Sequence, residues 1–300
     1  MKEVLSLQCT IFLLVGVGCF LKRKGIITKA GQKCITDLVI DVVLPCNIIK
    51  AFCMDFSTGM GVELIATLVI AIAIQALAVV YGKVVFLREP DGRNRCLRYG
   101  TICSNGGFLG NPVAEGIYGP YGLLLASIFL IPVRIMMWTE GVSIFSGIHN
   151  GKTAMKKAVT HPCIVACGIG IVLMLTGFRF PDPIQNTISY LGACNTALSM
   201  LIIGMILGDM KPQTFLDKTA WIYCLHRLVL LPALCFGILL LLPVSPTVRG
   251  LSIILTAMPA GATTSILAAQ NNMEPEFATK LVVCSTMLSL PTLALWTMIV

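Results

Sequence analysis

The sequence predicts an all-α polytopic membrane protein, with ten transmembrane helices in two inverted five-helix repeats and with helices 4 and 9 broken and crossing. Three observations carry that expectation. Hydrophobic residues make up 56% of the 300-residue chain and charged residues only 12%, about half the charged share of a soluble domain. Apolar runs long enough to cross a bilayer recur from end to end. Two of these runs, the fourth in each half, are interrupted by glycine and proline at matched places, around Pro112 and Pro259.

The spans are expected at 4–21, 32–51, 61–86, 97–118, 122–147, 159–177, 185–208, 217–242, 248–270 and 277–299. Lys2 and Glu3 precede the first run and Lys22-Arg23-Lys24 follow it. A signal peptide has the reverse charge layout, so this run reads as a span that enters with its N-terminus outside. Alternating the loops from there puts sixteen of the 22 lysines and arginines on one face, Lys211 among them, and four on the other. Positive charge collects on the cytoplasmic side, so both termini are expected outside. The formal charge of +8 is then a matter of topology, with no nucleic-acid partner. Five spans per half force the copies, 1–148 and 149–300, into opposite orientations; together they form one membrane domain. The thirteen cysteines lie mostly within apolar runs with no C-x-x-C pair and read as buried thiols.

The fourth run contains Ser104-Asn105-Gly106-Gly107-Phe108-Leu109-Gly110-Asn111-Pro112. Its glycines weaken a helix, and Pro112 withholds an N–H. The residue before a proline is pushed from the α region, so Asn111 is expected at the break. The ninth run repeats the device with Met258-Pro259-Ala260-Gly261-Ala262-Thr263-Thr264. Paired interruptions in corresponding halves point to a secondary-transporter binding site. Each half-helix after its proline would aim free N–H groups at the meeting point, with the proline in the first turn, which suits an anion. The plainer alternative is a pair of kinks repaired by neighbouring helices.

Ionisable residues inside spans are expensive in hydrocarbon. Arg134 is expected near the middle of the fifth span, either as partner of a substrate carboxylate or in an ion pair with Glu140 or Glu115. Asp37 and Asp41 are one helical turn apart. Asp41 and Glu115 are the candidates for proton or sodium coupling, the alternatives being a cytoplasmic headgroup position for Asp37 and the outer water layer for Glu115. His226-Arg227 reads as an interfacial or structural pair, and His161-Pro162 as the start of the sixth span. Gly204-x-x-x-Gly208 has the form that lets helices pack closely, and a homodimer stays open.

Ser104 to Pro112, followed by Ile117-Tyr118-Gly119-Pro120-Tyr121-Gly122, resembles a signature of the auxin efflux carrier family. Ala257-Met258-Pro259-Ala260, Ile266-Leu267-Ala268 and the stretch Glu276 to Ser289 resemble its C-terminal signature, and Leu44-Pro45 and His161-Pro162 fall where that family has similar elements. The resemblance implies a scaffold of spans 1, 2, 6 and 7, a mobile unit of the other six, and substrate bound where spans 4 and 9 cross. It also implies an elevator-like movement and small organic anions as cargo, malate- or malonate-like in microbial relatives and auxin in plant ones. Arg134 stands where a neutral amide is expected, and the long plant carriers' large loop is absent, so a compact microbial carrier is the natural reading.

The expected substrate site is Asn105, Gly106, Gly110, Asn111, Pro112, Arg134, Met258, Pro259, Gly261 and Thr263. No catalytic, metal-ligating or nucleotide-binding motif accompanies it, so no cofactor is expected beyond coupling to H+ or Na+. The partners are the lipid bilayer, here a plasma membrane such as the bacterial inner membrane, and a small organic anion. The alternatives are a cation/proton antiporter of the same fold and a ligand-sensing membrane receptor.

Overall fold

The computed structural model describes residues 2–54, 58–146, 151–209 and 217–300, and among them the secondary structure is helical apart from one isolated β-bridge. In chain order come α1 (Lys2–Arg23), α2 (Lys29–Leu38), the π-helical turn π1 (Val39–Val43), α3 (Leu44–Phe52) and α4 (Thr58–Val85). The first broken element follows as α5 (Asp91–Ile102), π2 (Gly106–Gly110) and α6 (Asn111–Trp138), then the short α7 (Glu140–Ser146) and α8 (Gly151–Val159). The second half has α9 (Pro162–Thr176), α10 (Asp182–Gly208), α11 (Lys218–Leu225), π3 (His226–Leu230) and α12 (Leu231–Leu240). It closes with α13 (Pro246–Thr256), α14 (Thr263–Gln270) and α15 (Pro275–Ile299).

Five helical stretches among the described residues are long and apolar enough to cross a membrane: Gly59–Val85, Gly106–Phe145, Asp182–Gly208, Lys218–Leu240 and Pro275–Ile299. Large apolar side chains such as Leu13, Ile65, Val84, Val172 and Leu241 lie exposed along the helices, as a multi-pass protein facing lipid requires. Ion pairs join the ends of helices distant in the chain: Lys22 meets Asp209 at 3.2 Å, Arg93 meets Asp217 at 3.2 Å and Lys83 meets Glu140 at 3.7 Å.

All three π turns have one cause. Each runs into a helix whose second residue is proline: Pro45 in α3, Pro112 in α6 and Pro232 in α12. Proline cannot donate to the carbonyl four residues back. The residue before it reaches five back instead, Leu44 to Val39, Asn111 to Gly106 and Leu231 to His226, which widens one turn without ending the helix. The carbonyl that Pro232 leaves free, on Leu228, accepts the Trp296 indole N–H at 2.8 Å.

Close packing of α1 on α10 explains the small-residue motif. A Cβ on Gly18 would collide with the Leu201 backbone, one on Gly204 with the Val15 and Cys19 backbones, and one on Gly208 would approach the Lys22 side chain. Gly204-x-x-x-Gly208 is therefore consumed within the chain and offers no face to a second copy.

Two expectations need correction. The fifth span does not run unbroken from 122 to 147. The turn at Gly119, whose φ of 65° favours glycine, falls between the expected fourth and fifth spans, but the helix is interrupted at Thr139 and α6 ends at Trp138, so Arg134 lies one turn before a helix end. Asn111 does not sit at a break either. It is α-helical (φ −60°, ψ −50°) because π2 absorbs the missing proline bond, and the interruption falls earlier, at 103–105. The expected end of that span at 147, the division at 148/149 and Lys211 lie outside the described residues.

Candidate substrate site at the crossing of two broken helices

The two interruptions meet. Ser104 and Ala260 form the antiparallel β-bridge, with Asn105 N–H donating to the Pro259 carbonyl and Gly261 N–H to the Cys103 carbonyl, both at 2.8 Å. Extended backbone inside a bilayer must have its polar groups satisfied by protein, and here each break satisfies the other. The Ala260 N–H is taken by the Ser285 hydroxyl at 3.2 Å. Gly261 sits in close approach, since a Cβ there would stand 3.0 Å from the Cys103 carbonyl oxygen.

The sequence-predicted residues arrange themselves around this bridge. Asn105 is the bridge donor, and Gly106 and Gly110 are the ends of π2, packed so that a Cβ on Gly106 would strike Leu130 and one on Gly110 would come within 2.7 Å of Leu255. Pro112 occupies the first turn of α6, as expected. Pro259 does not occupy a first turn: α14 begins only at Thr263, so Met258, Pro259 and Gly261 lie in the extended break itself. Asn111 is fully buried, and neither its amide oxygen nor its nitrogen has a hydrogen-bond partner; the Thr264 hydroxyl is in the same condition. Thr263 is half-buried at the start of α14.

Arg134 is one turn, about 6 Å along the axis, beyond the Leu130 that packs on Gly106. It is 6% exposed, and neither terminal guanidinium nitrogen has a hydrogen-bond partner. The carboxylates expected as its structural partners are engaged elsewhere. Glu115 holds Lys50 at 3.6 Å and accepts from Asn47 Nδ2 at 3.5 Å, and Glu140 pairs with Lys83. Arg134 instead faces the start of α9, where its charge and that of Asp41 both reach His161, and where the Cys163 and Cys167 thiols adjoin it. His161 caps α9, accepting the Cys163 N–H at 3.2 Å, and stacks near Trp138. Asp41 lies exposed in π1.

His226 and Arg227 do not form a pair. His226 Nδ1 bonds the Tyr81 hydroxyl at 2.7 Å, while Arg227 turns inward, 4% exposed, to the neighbourhood of Cys103 and Tyr223. Sequence reasoning missed Arg227 as a crossover residue. The signal was present: it stands nine residues into an apolar helical stretch beginning at Lys218, too deep for a headgroup position.

A multi-pass helical membrane protein whose two broken helices cross and pair backbone to backbone is the class this architecture defines. The membrane transport protein family profile matches residues 4–297, and the chain belongs to that family, the auxin efflux carrier family whose signatures the sequence resembles. It is 27% identical over 298 residues to an uncharacterized transporter of Methanothermobacter thermautotrophicus, covering 97% of this chain and 96% of the relative. It is 25% identical over 301 aligned positions to an uncharacterized transporter of Methanocaldococcus jannaschii, covering 95% of each.

Proposed function

We propose that this family member is a secondary carrier that moves a small organic anion, a malate-, malonate- or auxin-like carboxylate, across the plasma membrane by elevator-type alternating access. In this reading its ten spans form two inverted five-helix repeats, 1–148 and 149–300, with both termini outside. Cargo binds on the side of the helix crossing that faces Arg134. The observation that carries the reading is Arg134: a permanently charged guanidinium, almost wholly buried, with both terminal nitrogens unsatisfied and with Glu115 and Glu140 engaged by lysines. Such a group costs several kcal/mol unless an anion completes it, and a carboxylate accepts its two parallel N–H bonds. Asn111 and Thr264 add unsatisfied polar groups for the rest of the cargo. Asp41, whose charge reaches the same His161 as Arg134, is the coupling group for a proton; Glu115, held by Lys50 and Asn47, links α3 to α6.

The test is a thermal-shift screen of the purified chain against small mono- and dicarboxylates. A ligand at one hundred times its dissociation constant stabilises the native state by about 2.7 kcal/mol. One carboxylate should raise the melting temperature of the wild type and have no effect on Arg134→Ala. An equal shift in that variant would remove Arg134 from the site. Uptake of the stabilising carboxylate into liposomes then separates a carrier from a receptor that only binds.

A further inference from the structure

The carboxylate reading makes no use of α8, the short helix between the two halves of the chain. It lies between α6 and α9 in sequence and packs against both. The first of these neighbours belongs to a stretch long and apolar enough to cross a membrane, and the second is a shorter apolar helix. A nine-residue helix held between two such neighbours stays close to the bilayer.

The composition of α8 differs from theirs. Its sequence, GKTAMKKAV, has three lysines and no acidic residue. Lys152, Lys156 and Lys157 are exposed and take part in no ion pair among the described residues. Met155 and Val159 are 47% and 54% exposed, whereas Ala158 is wholly buried. At about 3.6 residues per turn, the order around the helix is Ala158, Met155, Val159, Lys152, Lys156 and then Lys157. The face covered by protein is thus followed by an apolar strip, and the apolar strip by a basic one. A helix surrounded by water gains nothing from setting Met155 and Val159 outward. At a bilayer surface the same order is favourable: apolar side chains enter the acyl boundary, and the lysine stems run along it to place their ammonium groups among the headgroups. Unpaired positive charge beside an apolar strip selects anionic lipid over zwitterionic lipid.

We propose that α8 is a membrane-surface anchor for anionic phospholipid, with Lys152, Lys156 and Lys157 holding the headgroup phosphates and Met155 and Val159 entering the acyl boundary. The inference is independent of what the chain carries and of where the cargo binds.

The experiment uses the full chain in detergent, with no carboxylate present, and compares melting temperatures after adding dioleoyl phosphatidylglycerol or dioleoyl phosphatidylcholine. The wild type should melt several degrees higher with phosphatidylglycerol. The triple variant Lys152→Gln/Lys156→Gln/Lys157→Gln should lose most of that difference while melting like the wild type with phosphatidylcholine. Lys156 and Lys157 also stand in the last turn of α8, where positive charge favours the helix end. A triple variant that melts lower by the same amount with both lipids would confine the lysines to that local role and overturn the proposal. An equal shift of the wild type by inorganic phosphate would overturn it too, because the site would then take any phosphate and not a membrane surface. So would an equal loss in Lys24→Gln/Lys29→Gln/Lys33→Gln, three exposed lysines outside α8, since net charge alone would then account for the effect. Should the α8 triple variant fail to fold, the single variants Lys152→Gln and Lys156→Gln decide: a reduced phosphatidylglycerol difference in each supports the anchor, and an unchanged one overturns it.

Discussion

The two breaks occupy corresponding places in the two halves but are built differently. In the first, the interruption is short, 103–105, and a π turn rich in glycine carries the chain straight into α6 with Pro112 already helical. In the second, the interruption runs from 257 to 262, Pro259 lies within it, and an eight-residue helix follows. The first break is held by packing, with Gly106 against Leu130 and Gly110 against Leu255. The second is held by hydrogen bonds, with the Pro259 carbonyl taken by Asn105 and the Ala260 N–H by Ser285. The comparison teaches that two similar interruptions can be held by different chemistry. Steric substitutions should damage the first break most, and polar ones the second.

The largest effect is expected at Gly106→Ala, where the new methyl collides with Leu130; overpacking of this kind costs about 1–3 kcal/mol. The melting temperature should fall and recover in the double variant with Leu130→Ala. Failure of that rescue would mean the first break is not held by this packing. Next comes Ser285→Ala, which strands the Ala260 N–H at a cost of about 1–2 kcal/mol, measured as a lowered melting temperature. Wild-type stability there would show that the second break does not depend on this bond. The smallest effects on stability belong to the prolines. Pro112→Ala restores an N–H four residues from the Phe108 carbonyl and should change stability by less than about 1 kcal/mol. Pro259→Ala should leave the fold intact but slow carboxylate turnover in liposomes, because it loosens the interruption. Unchanged flux would leave Pro259 without a part in transport.

Much of this was legible in the residues. The glycine and proline clusters marked both interruptions, since each weakens a helix for a stated physical reason. Their placement was less legible. The rule that the residue before a proline leaves the α region misplaced Asn111, because a π turn accommodates the proline without a break, and periodicity does not reveal a π turn. The positions of Arg134 and Arg227 depended on which helix face each occupied and on where α6 ended. A single apolar run does not encode either, because lipid-facing and core-facing residues are equally apolar. The Gly204–Gly208 motif was read correctly as a close-packing surface, but its partner α1 is a matter of tertiary arrangement.

The bridge between Ser104 and Ala260 has a consequence for the chain as an assembly of halves. Each half ends its broken helix with backbone groups that only the other half can satisfy: the Asn105 N–H and Cys103 carbonyl on one side, the Gly261 N–H and Pro259 carbonyl on the other. In hydrocarbon, each such group left alone costs several kcal/mol. A half-length product inserted by itself would therefore carry an open wound at its centre, closed only by the other half. The joining of the two halves in one polypeptide fixes their ratio at one to one and guarantees that every exposed strand edge is born with its mate.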